Sequence, residues 1–270
     1  MCRLLAYVSP SPSTFTDVIG VDQGAAFQWL ARVHDDGWGT MWLDGGQVER
    51  QRTAEPGHTD AALTNALNGR RSRAGVAHLR LATGGLSVGQ VNTHPFVAEG
   101  IGFAHNGSIL PVTALRAKVS PARSAACEGT TDSELYFALI RDRWADGLPL
   151  AEAVTSVVAE LRQEFPAASL NAMVLGAHEL VVVRASRYAE VPTQHFIERG
   201  IVDDDLPPAH DEAYYDLRVR RGEDGSLAFA SSGLDTTGWE ELPQDSVTVV
   251  DLDSVTATTH LLHPVTHLAG

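Results

Sequence analysis

Leu4-Leu5-Ala6-Tyr7-Val8 are apolar without alternation, which predicts a strand over Arg3–Val8 that is buried on both faces. Ala25–Val33 follows as a short helix. Gly39–Leu43 and Gln47–Arg52 read as two strands around the turn Asp44-Gly45-Gly46. Asp60–Asn68 suits a helix capped at Thr59 or Asp60. Strands are expected over Ala74–Leu79 and Ile101–Ala104, and a helix over Ser133–Trp144. Leu150, Val154, Val157, Leu161 and Phe165 recur at steps of three and four, an amphipathic helix that ends before Pro166.

Beyond Pro166 the pattern returns to strands: Asn171–Leu175, Leu180–Arg184, Leu217–Arg220, Leu227–Ala230 and Val247–Leu252, with a hairpin turn at Glu223-Asp224-Gly225. Strands, then two helices, then strands again indicate an α+β arrangement of sheets layered on helices rather than a βαβ repeat. Residues 189–212 are acidic, proline-bearing and without a clear period, so they are expected to form a surface loop or lid. No Gly/Ser-rich linker or internal repeat interrupts the chain, and residues 2–270 are expected to form one domain.

Charge narrows the function classes. The net charge of -14 disfavours nucleic acid and an anionic membrane surface as partners. Arg70, Arg71 and Arg73 are too few to reverse that, and they read as a solvated turn. The N-terminus has no signal-peptide pattern and no apolar run reaches the roughly 18–20 residues of a membrane span, so a cytoplasmic protein is expected. In that compartment Cys2 and Cys127 should be free thiols.

Cys2 directly follows the initiator methionine and is small enough for that methionine to be removed. The mature chain would then carry a thiol and a free α-amine on one residue. The thiolate is a good nucleophile, and an α-amine titrates at roughly 7.7–8.0, so it can act as the base. The bland alternative is a small buried hydrophobe at a strand start.

Four other segments carry chemistry-bearing residues, each with a structural alternative. His34-Asp35-Asp36-Gly37-Trp38-Gly39 implies tight backbone near a ligand, or a hairpin entry. Arg80, leaving a strand before Thr83-Gly84-Gly85, can clamp a carboxylate with Thr83 adding a hydroxyl, or form a surface salt bridge. Asn106 and Gly107 can aim a side-chain amide and a backbone N–H at one oxyanion, or make a type I′ turn. Asp132 within Thr130-Thr131-Asp132-Ser133-Glu134 can receive an ammonium group, while Thr131 and Glu134 fit a capping box. His34, His78, His94 and His105 show no metal-ligand spacing, so no metal is expected.

In order, Met1-Cys2-Arg3, Asp36-Gly37-Trp38-Gly39, Ala77-His78-Leu79-Arg80-Leu81-Ala82-Thr83, Asn92-Thr93-His94-Pro95, His105-Asn106-Gly107 and Thr131-Asp132-Ser133-Glu134 resemble the class II glutamine amidotransferases of the stand-alone type. The later half is similar mainly in its strand pattern and in Ala230-Ser231-Ser232-Gly233-Leu234. The resemblance implies the four-layer αββα sandwich of N-terminal-nucleophile hydrolases and no cofactor. It implies that Cys2 is the nucleophile, with its own α-amine as base. Asn106 and Gly107 would form the oxyanion hole. Arg80 and Thr83 would bind a glutamine α-carboxylate, and Asp132 its α-ammonium. Where the related synthases carry His after the Thr, this chain has Gly84.

The leading expectation is glutamine hydrolysis to glutamate and ammonia, the ammonia passing to a separate synthase subunit if it is transferred at all. The alternative is a γ-glutamyl amide hydrolase that releases an amine, as in ergothioneine biosynthesis. A glutamine-sensing or scaffold protein ranks last, because the whole proposed residue set is present. Oligomeric state is not readable from these patterns.

Overall fold

The computed structural model describes residues 2–82, 87–201 and 206–263. The strands are β1 (Arg3–Ser13), β2 (Trp38–Asp44), β3 (Gln47–Thr53), β4 (Ser72–Leu79), β5 (Phe96–Ala98), β6 (Ile101–Asn106), β7 (Asn171–Leu175), β8 (Glu179–Arg184), β9 (Leu217–Arg221), β10 (Leu227–Ser231), β11 (Glu240–Glu241), β12 (Ser246–Asp251) and β13 (Thr256–Leu261). The helices are α1 (Phe15–Ile19), α2 (Val21–Leu30), α3 (Ala61–Asn68), α4 (Val112–Lys118), α5 (Pro121–Ala125), α6 (Asp132–Ala145), α7 (Leu150–Glu164) and α8 (Thr193–Glu198).

The strands form two antiparallel sheets, ordered β11-β9-β10-β1-β4-β2-β3 and β13-β12-β8-β7-β6-β5. The unbroken apolar run of β1 follows from its place near the middle of the first sheet, with both faces covered. Leu5 and Tyr7 point to a cluster with Phe15, Phe27, Leu30 and Leu63 of α1–α3. Leu4, Ala6 and Val8 point the other way, onto Ala104, Met173 and Val182 of the second sheet. The far face of that sheet, through Phe103, Val174 and Val183, packs on Leu135, Tyr136, Val154, Val157 and Leu161 of α6 and α7. The strand period of two thus sorts side chains into alternate layers, helix, sheet, sheet, helix. Each large apolar side chain buried this way contributes about 1.5–3 kcal/mol. The expected αββα sandwich is the observed architecture.

Several local expectations are corrected. The helix expected at Ala25–Val33 begins at Val21 and ends at Leu30, preceded by the separate turn α1. The Thr131 hydroxyl accepts from the Glu134 N–H, but the Glu134 carboxylate accepts from the Glu128 and Gly129 N–H groups instead of closing the capping box. The arginine cluster is not simply solvated. The Arg70 guanidinium stacks 3.6 Å from the Trp42 ring centroid, and Arg73 donates to the Leu252 carbonyl. Residues 202–205 of the expected 189–212 loop or lid lie outside the described residues; its earlier part carries α8, whose Phe196 is buried with Val33, Leu81, Tyr214 and Tyr215. Cys2 and Cys127 are both free thiols, as expected.

Candidate active site

The strand ends gather the polar groups at one edge of the sandwich. Cys2 immediately precedes β1, Arg80 follows β4, Asn106 ends β6, and Asp132 begins α6. Cys2 is 7% exposed. Its nitrogen donates to Asn106 Oδ1 at 2.9 Å, and its Sγ lies 3.9 Å from the Leu81 carbonyl oxygen. The other end of the same amide, Asn106 Nδ2, is buried with no hydrogen-bond partner. A buried donor left open is costly unless something arrives to use it. Here it lies on the side chain that holds the nitrogen of the nucleophile residue.

Gly107 follows in a space that admits no side chain. A Cβ there would meet the Ser169 carbonyl oxygen at 1.9 Å. The glycine reflects this close approach rather than the hairpin turn that Asn-Gly suggests.

Arg80 is buried, and its backbone is locked to the Asp36–Gly37 strand entrance through Arg80 N–H to Gly37 O at 2.8 Å and Asp36 N–H to Arg80 O at 3.0 Å. Gly37 has φ +119, and a Cβ would meet the Thr53 carbonyl oxygen at 2.5 Å, so this tight crossing also needs glycine. The Arg80 Nη2 donates to Ser87 O at 3.2 Å, while Nη1 is buried without a partner. Burial lowers the guanidinium pKa, and the charges of Cys2 and Asp36 oppose that shift. Such a group can take a carboxylate. Thr83 and Gly84 lie outside the described residues.

Asp132 is buried at the start of α6, and its Oδ2 accepts from Ile109 N–H at 2.7 Å. It therefore fixes the turn that follows Gly107. Asn92 ties the two sides together, donating to Ser87 at 2.8 Å and accepting from Thr130 N–H at 2.9 Å.

The neighbouring histidines are structural. His105 donates from Nε2 to Ser169 O at 2.8 Å, so its Nδ1 accepts from the Ser133 hydroxyl at 2.9 Å. His78 donates to His105 O at 3.2 Å. Burial holds His78 down to about 3, and places His94 and His105 below the ordinary imidazole value. These rings are neutral at physiological pH. His34 pairs instead with His210, Nε2 to Nε2 at 2.9 Å. Among the described residues no three His, Cys, Asp or Glu side chains group as a metal site.

Sequence reasoning gave no role to Arg3, Asp36 or Arg199. Arg3 is fully buried beside Cys2. It donates to the Cys2 carbonyl at 2.6 Å and to Ser232, and stacks 3.9 Å from the Tyr214 ring centroid. An arginine inside an apolar strand was the visible signal. Asp36 Oδ2 accepts from Ala82 N–H at 2.7 Å and from Arg199 at 2.6 Å, and Arg199 also pairs with Asp35. That pairing spans 163 positions, and no local pattern announces it.

The profile described as class-II glutamine amidotransferases matches residues 1–259. A γ-glutamyl-hercynylcysteine sulfoxide hydrolase from Mycolicibacterium smegmatis is 28% identical over 193 residues, covering 67% of this chain and 78% of that protein. A protein of the same name from Mycobacterium tuberculosis is 25% identical over 265 residues, 96% of each chain. The structure of a class II glutamine aminotransferase domain protein from Silicibacter pomeroyi superposes with TM-score 0.62 at 20% identity, covering 97% of this chain and 100% of that one. Glutamine phosphoribosylpyrophosphate amidotransferase from B. subtilis gives TM-score 0.62 at 14% identity, with 97% of this chain on 49% of the longer one. At these identities the structural likenesses show the fold. No helix among the described residues is long and apolar enough to cross a membrane.

Proposed function

The chain belongs to the class II glutamine amidotransferases, enzymes of the N-terminal-nucleophile amidohydrolase type, and from that premise we propose that it hydrolyses γ-glutamyl amides through a Cys2 thioester. The observation that carries this reading is the Asn106 amide. Its oxygen holds the Cys2 nitrogen at 2.9 Å, while its buried Nδ2 has no partner.

With Met1 removed, the Cys2 thiol gives its proton to the α-amine through a water, and Sγ bonds to the γ-glutamyl carbonyl carbon. The carbonyl oxygen, now an oxyanion, is stabilised by Asn106 Nδ2 and the Gly107 N–H. The C–N bond then breaks, and the departing nitrogen takes the proton from the α-ammonium. Water, deprotonated by the same amine, cleaves the thioester and releases glutamate. Arg80, joined by Thr83, binds the α-carboxylate, and Asp132 binds the α-ammonium.

Glutamine is the simplest substrate of this site, and ammonia released from it could serve a separate synthase subunit. The relatives that align over 96% of both chains carry the name of a γ-glutamyl hydrolase, which favours an amine larger than ammonia as the leaving group. The test is glutamate release from glutamine and from a panel of γ-glutamyl amines, using protein whose intact mass confirms loss of Met1. Release that disappears in Cys2→Ala is expected. Release that persists in that variant would remove Cys2 as nucleophile.

A further inference from the structure

β1 runs out of backbone partners where it delivers Cys2. Its ladder with β4 begins at Arg3, opposite Leu79, and its ladder with β10 begins only at Leu5, opposite Ala230. Cys2 lies beyond both. With Met1 removed it is also the chain end, and an end without ladder bonds frays unless side chains tie it down.

Side chains take over before Leu5. Ser231, the last residue of β10, accepts the Leu4 N–H on its hydroxyl at 2.9 Å and donates to the Leu4 carbonyl at 3.2 Å. Arg3 reaches in two directions. Its Nε donates back to the Cys2 carbonyl at 2.6 Å. Its Nη1 donates to the Ser232 carbonyl at 3.1 Å, to the Ser232 hydroxyl, and to the Tyr214 carbonyl at 3.3 Å. The Ser232 hydroxyl donates in turn to the same Tyr214 carbonyl at 2.9 Å. The Tyr214 ring covers the guanidinium, its centroid 3.9 Å from the central carbon.

Packing alone does not call for an arginine here. Leu5 and Tyr7, which share its face of β1, are apolar and meet the helical layer. Arg3 is fully buried, yet its bonds go to carbonyls and a hydroxyl, and its Nη2 has no hydrogen-bond partner. Among the described residues no carboxylate pairs with it. A guanidinium buried without a carboxylate is costly, so its place beside the nucleophile asks for a reason.

That reason lies in how Cys2 is held. Asn106 Oδ1 takes its nitrogen at 2.9 Å, and Arg3 Nε takes its carbonyl. Holding the backbone on both sides of Cα sets the directions in which the amine and the thiol face Asn106 Nδ2 and the Gly107 N–H. We infer that Arg3 is a positioning residue for thioester formation, orienting the Cys2 backbone, and through it the thiol and α-amine, against the Asn106–Gly107 oxyanion site. The inference rests on the hydrolase reading above and deepens it. Arg3 works from behind the nucleophile, away from the α-carboxylate and α-ammonium contacts proposed for Arg80 and Asp132. Its loss should therefore be felt in kcat and not in KM.

The experiment measures kcat and KM for glutamine and γ-glutamyl methylamide with the full chain, Met1 removed, and its Arg3→Met, Arg3→Lys and Ser232→Ala variants. Intact mass confirms loss of Met1 in each, and urea unfolding gives the folded fraction. Arg3→Met should lower kcat by about 10²-fold with KM unchanged to within about twofold. Arg3→Lys keeps a donor for the Cys2 carbonyl but cannot fork to Ser232, and should recover about tenfold of that loss. Ser232→Ala loosens the far end of the arginine without touching Cys2, and should lower kcat about three- to tenfold. Undiminished kcat in Arg3→Met, or a loss that vanishes once rates are scaled to the folded fraction, would overturn the positioning role and leave γ-glutamyl hydrolysis intact. Should Arg3→Met not fold, undiminished kcat in both other variants would overturn it. No glutamate from the unsubstituted chain with either compound would sink the hydrolase reading, and the role of Arg3 with it.

Discussion

On the β4 flank of Cys2, Arg80, Asn92 and Asp132 are buried in a frame of hydrogen bonds, mostly to backbone groups, at 2.7–3.2 Å. On the β10 flank the frame gives way to rings: Phe196 of the short helix α8 and Tyr214 pack on His210, and Tyr215 packs on Tyr214. Under the proposed γ-glutamyl reading, the first flank meets a fixed carboxylate and ammonium, which calls for donors and acceptors at set positions. The second flank is shaped by packing instead. The difference between them predicts where substitutions will be costly.

Acid gives the largest expected effect, because both flanks rest on buried neutral imidazoles. Burial holds His78 at about 3 and His210 at about 2, with His94 and His105 also lowered. Below the unfolded value near 6.5 the unfolded chain binds protons that the folded chain refuses. Stability is therefore fully present above that pH and is lost as pH falls toward the folded values. His78 and His210 each remove about 1.4 kcal/mol per pH unit within this window, and His94 and His105 act in the same direction. Denaturant unfolding at pH 7, 6 and 5 should show a steep fall, against a typical total of about 5–15 kcal/mol. A stability flat across that range would mean these rings are not buried neutral.

Catalysis comes next. Asn106→Ala removes the open Nδ2 donor and the anchor of the Cys2 nitrogen, and kcat should fall by about 10²–10³ with an unchanged fold by circular dichroism. Arg80→Gln tests the polar flank, and kcat/KM for glutamine should fall by about 10²-fold through loss of charge-assisted bonds. The smallest effect belongs to the outer edge of the polar frame. Arg199 follows α8, is 29% exposed at its side chain and ties that helix to Asp35 and Asp36, so Arg199→Gln should raise KM by only about three- to tenfold. An Arg199→Gln loss as large as that of Arg80→Gln would mean that the partly exposed pair matters as much as the buried arginine.

The same contrast explains what could be read without coordinates. α7 announced itself because one periodic face meets one layer, β4, β7 and β8 because apolar runs are buried on both faces, and β2 and β3 through the turn between them. β13 did not, since Thr256–Leu261 is an exposed edge strand with no buried face to impose alternation. α8 was invisible for the opposite reason: six residues are too few to display a helical period, although Phe196 is fully packed. Cys2, Arg80, Asn106, Gly107 and Asp132 were nominated by motif, and the structure brings them to one edge. Arg3, Asp36 and Arg199 act through contacts between distant segments, which only the folded chain assembles.

The central claim is that Cys2 is nucleophile and base at once, and retention of Met1 tests it most directly. Two preparations, one with Met1 removed and one with it retained, would be checked by intact mass and unfolded in parallel to show equal stability. The account predicts γ-glutamyl hydrolysis only from the chain that begins with Cys2. Full activity from the Met1-retaining chain would contradict it.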